Sequence, residues 1–398
     1  MSLSHAQRFQ RLTALLADWQ ALWRPLPFQH REMPWGSSVA GLADTLLALP
    51  GDEVARLQAA PFVDSPLAAW LPVDELAALV ALPSGASPVA PLPDAWGEGI
   101  GARKWRQVQA FASRVPMDEG ELVEWCAGKG HLSRTLARLH RRSVTGLEWQ
   151  PSLCEAGQQQ ADRQGLAVRL QPQDVMAPDA ARWLAPGVRV AALHACGDLH
   201  GRLLTLAAEI GSAVSLAPCC YHRTAAADYR PLSRQGRELL AAGDWTPRRE
   251  DLAMAVQETV TAPRGVRRHR ERANAWRLGF DLLQREVRRR DAYLPVPSLA
   301  YGKLPDGFAG FCHWAAQRKG LALPAGLDWS AHEAAGWRRL AAVTRLELVR
   351  HLFRRPLEIW LALDRVRLLE EAGLRVTLAT FCERDLTPRN LLIEATPP

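Results

Sequence analysis

An alternation of apolar runs with stretches of helical spacing, between residues 122 and 217, constrains the fold of this chain more than any other feature. The apolar runs are short and bounded by turn residues, which is typical of buried strands. Strands that alternate with helices in this way form a parallel sheet covered by helices. The sequence therefore predicts an α/β domain with strands at 122–126, 143–147, 167–170, 188–195 and 213–217.

The C-terminal segment adds two strands, at 374–381 and 390–395. Only residues 382–389 join them, too few for the helical crossover that parallel strands need, so these strands should pair antiparallel. Pro356 is expected to separate a helix at 332–353 from a second helix that leads into the hairpin. This order resembles the Rossmann-like, seven-stranded sheet of class I methyltransferases, an α/β fold.

The remaining segments differ in composition. Residues 1–82 carry helical patterns and are expected to form a helical N-terminal domain. Residues 83–99 are rich in proline, which predicts an extended linker. Residues 100–398 then form the α/β domain, which a helical, basic insertion at about 223–355 interrupts before the final hairpin.

The charge of the chain is unevenly distributed. The net charge is +7, but residues 1–100 hold 5 Lys and Arg against 10 Asp and Glu, and the rest holds 44 against 32. A basic region favours a polyanionic partner such as RNA, although an arginine-rich composition can also reflect coding bias. In the helix expected over 263–293, Arg270, Arg277 and Arg288 lie on one side, away from the apolar stripe. That side is either an RNA-binding face or an ordinary solvated face.

Two features bear on the compartment. No run of 18 apolar residues and no signal-peptide core are present, so neither a membrane span nor secretion is expected. The seven cysteines are scattered, which suits reduced thiols in the cytoplasm better than a disulfide framework. We therefore expect a cytoplasmic protein without a membrane partner, and the sequence carries no signal of its oligomeric state.

The strongest local signal is the turn that follows the first strand. Glycines at 128 and 130 let the backbone approach a ligand closely, and the helix after them supplies unpaired N–H groups. Many strand–helix turns need glycine for a positive φ alone, so the turn is informative mainly in its context. The residues predicted to contact a cofactor here are Glu124, Cys126, Gly128, Lys129, Gly130 and His131.

Two acids follow the next two strands. Glu148 ends the second strand, where a carboxylate accepts both hydroxyls of a ribose. Asp174 follows the third strand, where a carboxylate can accept from an adenine amine. Ser133 takes the place of the third glycine of the dinucleotide fingerprint, and Glu124 would repel a pyrophosphate but suits an ammonium. The pattern therefore favours S-adenosyl-L-methionine over a nicotinamide dinucleotide.

The ends of the fourth and fifth strands carry further reactive side chains. His194 and Cys196 follow the fourth strand, and Cys219, Cys220 and His222 follow the fifth. Ligands of parallel sheets bind beyond these strand ends. The spacing fits no closed zinc site, and strand-end side chains should point apart, so no metal is expected. Cys219 is either a nucleophile or a packing residue.

These motifs resemble a known family. Residues 128–133, 194–199 and 219–222 are similar to the methyltransferase-like proteins that contain a ribosomal RNA adenine dimethylase domain. They resemble, more distantly, the tRNA 2′-O-methyltransferases with a Cys-Cys-His-His element. The resemblance covers roughly 100–222 and 356–396, and Cys126 stands where the family has glycine.

The resemblance implies an S-adenosylmethionine-dependent methyltransferase that acts on tRNA or rRNA. A protein or small-molecule acceptor, or a silent RNA-binding module of the same fold, is the alternative. His222 is the candidate general base or else a structural histidine. Expected on the catalytic side are His222, Tyr221, Cys219 and Asp198, with His194 beside the cofactor. Expected to bind substrate are Lys104, Arg270, Arg277, Arg288, Arg389 and Asn390.

Overall fold

The structure is a computed structural model and describes residues 3–84, 92–116, 120–257, 264–300 and 302–398. The strands are β1 Leu122–Trp125, β2 Val144–Glu148, β3 Val168–Pro172, β4 Arg189–Ala192, β5 Ala213–Leu216, β6 Arg375–Thr380 and β7 Leu391–Thr396. The helices are α1 His5–Asp18, α2 Gln20–Trp23, α3 Leu42–Ala48, α4 Gly51–Ala59, α5 Val73–Val80, α6 Ala102–Ala112, α7 His131–His140, α8 Pro151–Arg163, α9 Asp198–Ile210, α10 Arg234–Ala242, α11 Arg249–Val256, α12 Arg264–Arg288, α13 Gly307–Lys319, α14 Trp329–Leu346 and α15 Leu348–Glu371.

The strands form one seven-stranded sheet in the order β3-β2-β1-β4-β5-β7-β6. Strands β1 to β5 run parallel, β7 pairs antiparallel with β5, and β6 pairs antiparallel with β7. Strand β6 therefore points in the same direction as β1 to β5. The predicted Rossmann-like α/β sheet with a terminal antiparallel hairpin is confirmed.

The sheet places the carboxyl ends of its parallel strands at one edge. Every residue of β1, β4 and β5 is buried, because helices cover both faces of a parallel sheet. The outer strand β3 alternates between buried and more exposed residues. The buried centre fixes the strand positions, so the loops at their carboxyl ends can carry the site.

The chain packs as two compact units, and their limits differ from the expected domains. The sheet unit comprises Met1–Ala17, Leu79–Glu258 and Arg354–Pro398, and the helical unit comprises Asp18–Ala78 and Thr259–Phe353. Helices α10 and α11, expected in the insertion, thus belong to the sheet unit. Helix α1 joins it as well, because Phe9 stacks on Trp360 with ring centroids 5.5 Å apart.

The expected proline-rich linker is described only in part. Residues 85–91 lie outside the described residues. At its C-terminal end, Leu92 and Trp96 pack against the hydrophobic core of the sheet unit. This end of the segment is therefore part of that unit.

The helical unit is held by an apolar core and a close helix contact. Trp276, Phe280 and Leu283 of α12 are buried together with residues of α13, as the predicted apolar stripe requires. Gly279 of α12 and Gly336 of α14 face each other so closely that a Cβ on Gly336 would lie 2.8 Å from the Gly279 nitrogen. Glycine at both positions permits this approach.

Helix α15 runs from Leu348 to Glu371 without a break, so the expected interruption at Pro356 is wrong. Proline inside a helix removes one hydrogen bond and is unfavourable by about 3 kcal/mol. The side chains that follow it, Leu357, Ile359 and Trp360, are fully buried in the sheet unit. Their burial outweighs the local preference of proline.

Candidate active site

A cavity of about 450 Å³ lies at the carboxyl ends of β1 to β4. Its size falls in the range of about 300–1,000 Å³ that is typical of small-ligand sites. Each strand end contributes a predicted residue to its wall: Cys126, Glu148, Asp174 and His194. The other lining residues are Leu147, Trp149, Gln150, Leu153, Gln173, Val175, Cys196, Leu199 and Arg223.

The turn after β1 has an unusual backbone. Cys126, Gly128 and Gly130 all adopt positive φ angles, of 62°, 58° and 65°. A Cβ on Gly130 would lie 3.0 Å from Leu170, so packing against β3 restricts that position. A Cβ on Gly128 would meet no protein atom within 4 Å, so this glycine leaves space open beside the turn. Cys126 takes a left-handed conformation, which glycine adopts more readily than any other residue.

Glu148 is the best-placed acid of the cavity. Its Oε2 accepts from the Gly128 N–H at 2.9 Å and its Oε1 from the Gln150 N–H at 3.0 Å. An ionised carboxylate has about four acceptor positions, so both oxygens can still accept from ribose hydroxyls. Asp174, exposed at the same cavity, accepts from the Met176 N–H at 2.9 Å and keeps one oxygen for a further donor. These acceptor oxygens suit the ribose hydroxyls and the base amine of a nucleoside.

Glu124 has a different role from the one expected. It is buried, does not line the cavity, and its Oε2 accepts from both the N–H (2.7 Å) and the hydroxyl of Ser133. Burial raises the pKa of Glu124 to about 7, and the two bonds from Ser133 oppose that shift. The expected contact with an ammonium is not supported, because the carboxylate ties β1 to the first turn of α7.

Two histidines are neutral near pH 7. Desolvation lowers the pKa of His194 to about 4, and the ammonium of Lys104 acts in the same direction. Desolvation also lowers the pKa of His131 to about 4, and the guanidinium of Arg134 lies 2.8 Å from its Nδ1. Lys104, on α6, is thus close to both rings. Lys129 is exposed in the turn, and its carbonyl accepts from Arg134.

Three thiols converge where β4 and β5 end. The Sγ atoms of Cys196, Cys219 and Cys220 all lie within 4.8 Å of one another, and those of Cys196 and Cys219 are 3.5 Å apart. The expectation that these side chains point apart is wrong. A backbone bridge between Cys196 and Cys219 continues the pairing of β4 and β5 beyond the strands and brings the residues side by side.

Cys219 does not have the properties of a nucleophile. It is buried, and hydrogen bonds to the sulfurs of Cys196 and Cys220 raise its pKa, as does desolvation. The same contacts lower the pKa of Cys220. Because a nucleophilic cysteine must be an accessible thiolate, Cys219 is unsuited to covalent catalysis.

Tyr221 is buried and Asp198 does not line the cavity, and the catalytic role expected for Asp198 stays a prediction. Tyr221 is fully buried beneath the guanidinium of Arg365, which lies 4.7 Å from the ring centroid. Tyr221 lies in a turn in which Cys220 has a positive φ of 47° and its carbonyl accepts from the Arg223 N–H at 2.9 Å. Asp198, at the start of α9, accepts from the Ala225 N–H at 2.7 Å and does not line the cavity. Both residues fix the loop after β5.

The hairpin loop follows β6 and lies at the same edge of the sheet as the carboxyl ends of β1 to β5, but its polar residues are engaged. The guanidinium of Arg389 is close enough to Cys220 to lower its pKa, and it donates to the last carbonyl of α11 at 2.7 Å. Asn390 is buried and donates to the Cys382 carbonyl at 2.8 Å, while its Oδ1 accepts from Arg355 at 3.1 Å. Asn390 therefore stabilises the hairpin and presents no amide to an acceptor.

The predicted basic face of α12 stays a prediction, and of its three arginines Arg270 is exposed while Arg277 and Arg288 are half-buried. Arg277 donates to the Pro297 carbonyl at 3.3 Å and Arg288 to Gln284 at 2.6 Å, whereas Arg270 is exposed. The segment after α12 supplies acceptors that the helical pattern did not show. Other exposed arginines of the first turns escaped the prediction: Arg264, Arg267 and Arg268.

Two lining residues of the cavity were missed by the sequence analysis. Trp149 directly follows Glu148 and is 68% exposed, an unusual state for an indole and one suited to stacking on a base. The signal was a large aromatic residue immediately after a strand-ending acid. Arg223 is exposed at the cavity but was assigned to the insertion.

A protein-family model matches the region of the chain that contains the cavity. Residues 103–227 match the family model described as a methyltransferase domain. The strand order, the glycine turn and the acid at the end of β2 agree with that match. Together they support a methyltransferase domain over this part of the chain. No curated protein matches the chain.

Solved structures are similar to parts of the chain only. Geranyl diphosphate methyltransferase with GPP and sinefungin is 16% identical over 32% of this chain and 53% of its own, with a TM-score of 0.24. The chain thus spans about half its length. An RNA methyltransferase from Salinibacter ruber with S-adenosyl-L-homocysteine is 18% identical over 35% and 86% (TM-score 0.25). Magnesium protoporphyrin IX methyltransferase from Synechocystis PCC 6803 with bound SAH is 15% identical over 37% and 78% (TM-score 0.25).

Within the described residues, every helix is too short or too polar to cross a lipid bilayer.

Proposed function

We propose that this protein transfers the methyl group of S-adenosylmethionine to RNA of the tRNA or rRNA class, in the cytoplasm. The observation that carries the proposal is a group of exposed cations around the cavity. Arg223 lines the cavity, and Lys129 lies in the glycine turn. The ammonium of Lys104 lowers the pKa of His194, which lies in the cavity wall. In the part of the chain that the structure describes, none of the three forms an ion pair. Such cations attract a polyanion.

The cofactor is held by the residues of the first three strand ends. Glu148 accepts from the ribose hydroxyls, Asp174 meets the adenine amine, and the open space at Gly128 receives the methionine moiety. When bound, S-adenosylmethionine supplies a methyl group activated on a sulfonium. The chain orients the reactants and excludes water from the cavity. Seven free thiols support a reducing compartment.

The acceptor is served by His222. This side chain is half-buried beside Cys220, and its Nδ1 is buried without a hydrogen-bond partner among the described residues. An imidazole nitrogen in that state can accept the proton that the attacking group loses. Histidine thus provides the general base, and the cations hold the phosphates.

Transfer of label from tritiated S-adenosylmethionine into fractionated RNA, protein and metabolite pools tests the proposal. We expect the label in RNA, and digestion to nucleosides then shows whether a base or a 2′-hydroxyl carries it. Label confined to protein or metabolites contradicts the RNA substrate. RNA binding without any transfer contradicts the catalytic part and leaves a silent binding module.

A triple variant tests the cations directly. Lys104→Ala, Lys129→Ala and Arg223→Ala together should weaken RNA binding. The slope of the logarithm of the binding constant against the logarithm of the salt concentration should become smaller in magnitude by about 2–3, because each lost phosphate contact removes about 0.9. The matched control removes Arg163, Arg230 and Arg375, which are exposed and do not line the cavity. Equal effects of both triple variants would mean that RNA binding depends on the net charge of the chain and not on the cations at the cavity.

A further inference from the structure

The three thiols at the ends of β4 and β5 have the spacing of a metal site. Their Sγ atoms lie within 4.8 Å of one another, and Cys196 and Cys219 are 3.5 Å apart. In a tetrahedral zinc site with Zn–S bonds of about 2.3 Å, neighbouring sulfurs are about 3.8 Å apart. That value lies between the 3.5 Å separation of Cys196 and Cys219 and the 4.8 Å upper limit for the three sulfurs. The thiols therefore need no large rearrangement to share one ion.

We propose that Cys196, Cys219 and Cys220 bind a Zn²⁺ ion through their three sulfurs. Soft thiolate ligands select zinc over the hard cations magnesium and calcium. Three protein ligands leave a fourth position, as zinc sites with an exchangeable ligand do. His222 is not among the side chains whose ligand atoms lie within 4.8 Å of one another, so the fourth position is left to an exchangeable ligand such as water. The proposal does not rest on the methyltransferase activity.

The surroundings of the cluster favour this ion. A zinc ion with three thiolates carries a net charge of −1. Arg223 acts electrostatically on Cys196, and Arg389 acts on Cys220, so two guanidinium groups compensate that charge. Cys196 and Cys220 are half-buried, which leaves the ion a path from solvent. The backbone bridge between Cys196 and Cys219 holds two of the ligands in place.

Other cysteines of the chain show what packing thiols look like. Cys154, Cys312 and Cys382 are each buried and belong to no such cluster in the described residues. Cys312 and Cys382 lie in hydrophobic cores, where a thiol behaves as a small apolar group. The cluster differs from them in number, in spacing and in its place at the edge of the cavity, which Cys196 lines.

Cobalt substitution tests the site without cofactor or RNA. The full chain, purified under reducing conditions, is freed of metal and titrated with Co²⁺, and Zn²⁺ is then added. We expect one Co²⁺ per chain with an intense thiolate-to-cobalt charge-transfer band, and its loss when one equivalent of Zn²⁺ displaces the cobalt. Competition with a chromophoric chelator gives the zinc affinity.

Single variants assign the ligands. Cys196→Ser and Cys220→Ser, which alter half-buried positions, should each weaken zinc binding at least 100-fold while the chain stays folded by circular dichroism. Cys382→Ser, the control, should keep one equivalent. Absence of the charge-transfer band with all thiols reduced would overturn the proposal. A Cys196–Cys219 disulfide in the reduced preparation, or equal loss in the control, would overturn it as well.

Discussion

Two halves of the same sheet edge are built in different ways. At the ends of β1 to β3, the groups that face the cavity contact each other locally, as Glu148 and the Gly128 N–H do at 2.9 Å. At the ends of β4 and β5, the side chains are fixed by distant segments. Tyr221 packs under Arg365 of α15, and Arg389 of the hairpin loop lies near Cys220. The ends of β1 to β3, the cofactor half, are therefore fixed by contacts among themselves. The ends of β4 and β5, the acceptor half, are fixed by contacts with α15 and the hairpin loop.

This difference separates binding from transfer. Variants of the cofactor half should change the dissociation constant of S-adenosylmethionine, since Glu148 and Asp174 line the cavity and Gly128 donates to Glu148. Variants of the acceptor half should change the rate of methyl transfer at unchanged cofactor affinity.

The largest effect is expected at His222. His222→Asn should lower the single-turnover rate of methyl transfer by about 10²–10⁴-fold, the usual contribution of a general base. Cofactor affinity by isothermal titration should stay the same, because His222 does not line the cavity. His313→Asn, an exposed histidine of the helical unit, is the control. If His222→Asn lowered both the cofactor affinity and the methyl-transfer rate, the acceptor half would also contribute to cofactor binding, against this prediction.

The next effect concerns Gly128. Gly128→Asp should weaken S-adenosylmethionine binding at least about 100-fold, because a charged side chain would enter the open space at the turn. No protein atom lies within 4 Å of the new Cβ, so the cost to the fold is the strain of an L-residue at a φ of 58°, about 1–2 kcal/mol, which the control shares. Gly165→Asp is a matched control, with a similar φ of 60° and no atom within 4 Å, and it lies outside the cavity. Equal affinities of the two variants would contradict the assignment of the turn.

A moderate effect is expected at Glu148. Glu148→Gln should weaken cofactor binding by about 1–3 kcal/mol, because an amide presents one acceptor oxygen where the carboxylate presents two. The Gly128 N–H can still donate to that oxygen, so the turn should keep its shape. Glu155→Gln, an exposed acid of α8, serves as the control in the same titration. An unchanged cofactor affinity of Glu148→Gln would mean that the ribose does not bind at Glu148.

The same division explains what the sequence could predict. The strands, the hairpin and the residues of the turn at Gly128 follow from patterns within a few neighbouring residues. The roles of Tyr221 and Asn390 depend on Arg365 and Arg355, which lie far along the chain. No local pattern contains such a contact, so the acceptor half was predicted less well.

Cys196 and Cys219 show the same limit for the thiol cluster. Each follows a different strand, and only the bridge between their backbones brings the sulfurs to 3.5 Å. Glu124 is a local exception. Its partner Ser133 was identified only as a missing glycine, although a serine there provides two hydrogen-bond donors.

Glu124 provides the last and smallest test, by comparison with Glu148 on the next strand. Burial raises the pKa of Glu124 in the folded chain to about 7, above its value of 4.5 in the unfolded chain. Between these values the folded state holds more protons, so the free energy of unfolding falls as pH rises. One such group contributes a slope of about 1 kcal/mol per pH unit between pH 5 and pH 6.

Glu124→Gln should remove this contribution, because the amide does not ionise while its oxygen can still accept from Ser133. Urea unfolding at pH 5 and pH 6 should therefore show a stability decrease about 1 kcal/mol smaller in the variant than in the parent chain. Glu155→Gln should keep the parental decrease, since its carboxylate is exposed. The difference between the variant and the parent chain isolates Glu124 from every other titrating group, as all others are shared. An identical pH dependence in both chains would mean that Glu124 is ionised at pH 5 in the fold, and that it is free to meet a cationic ligand after all.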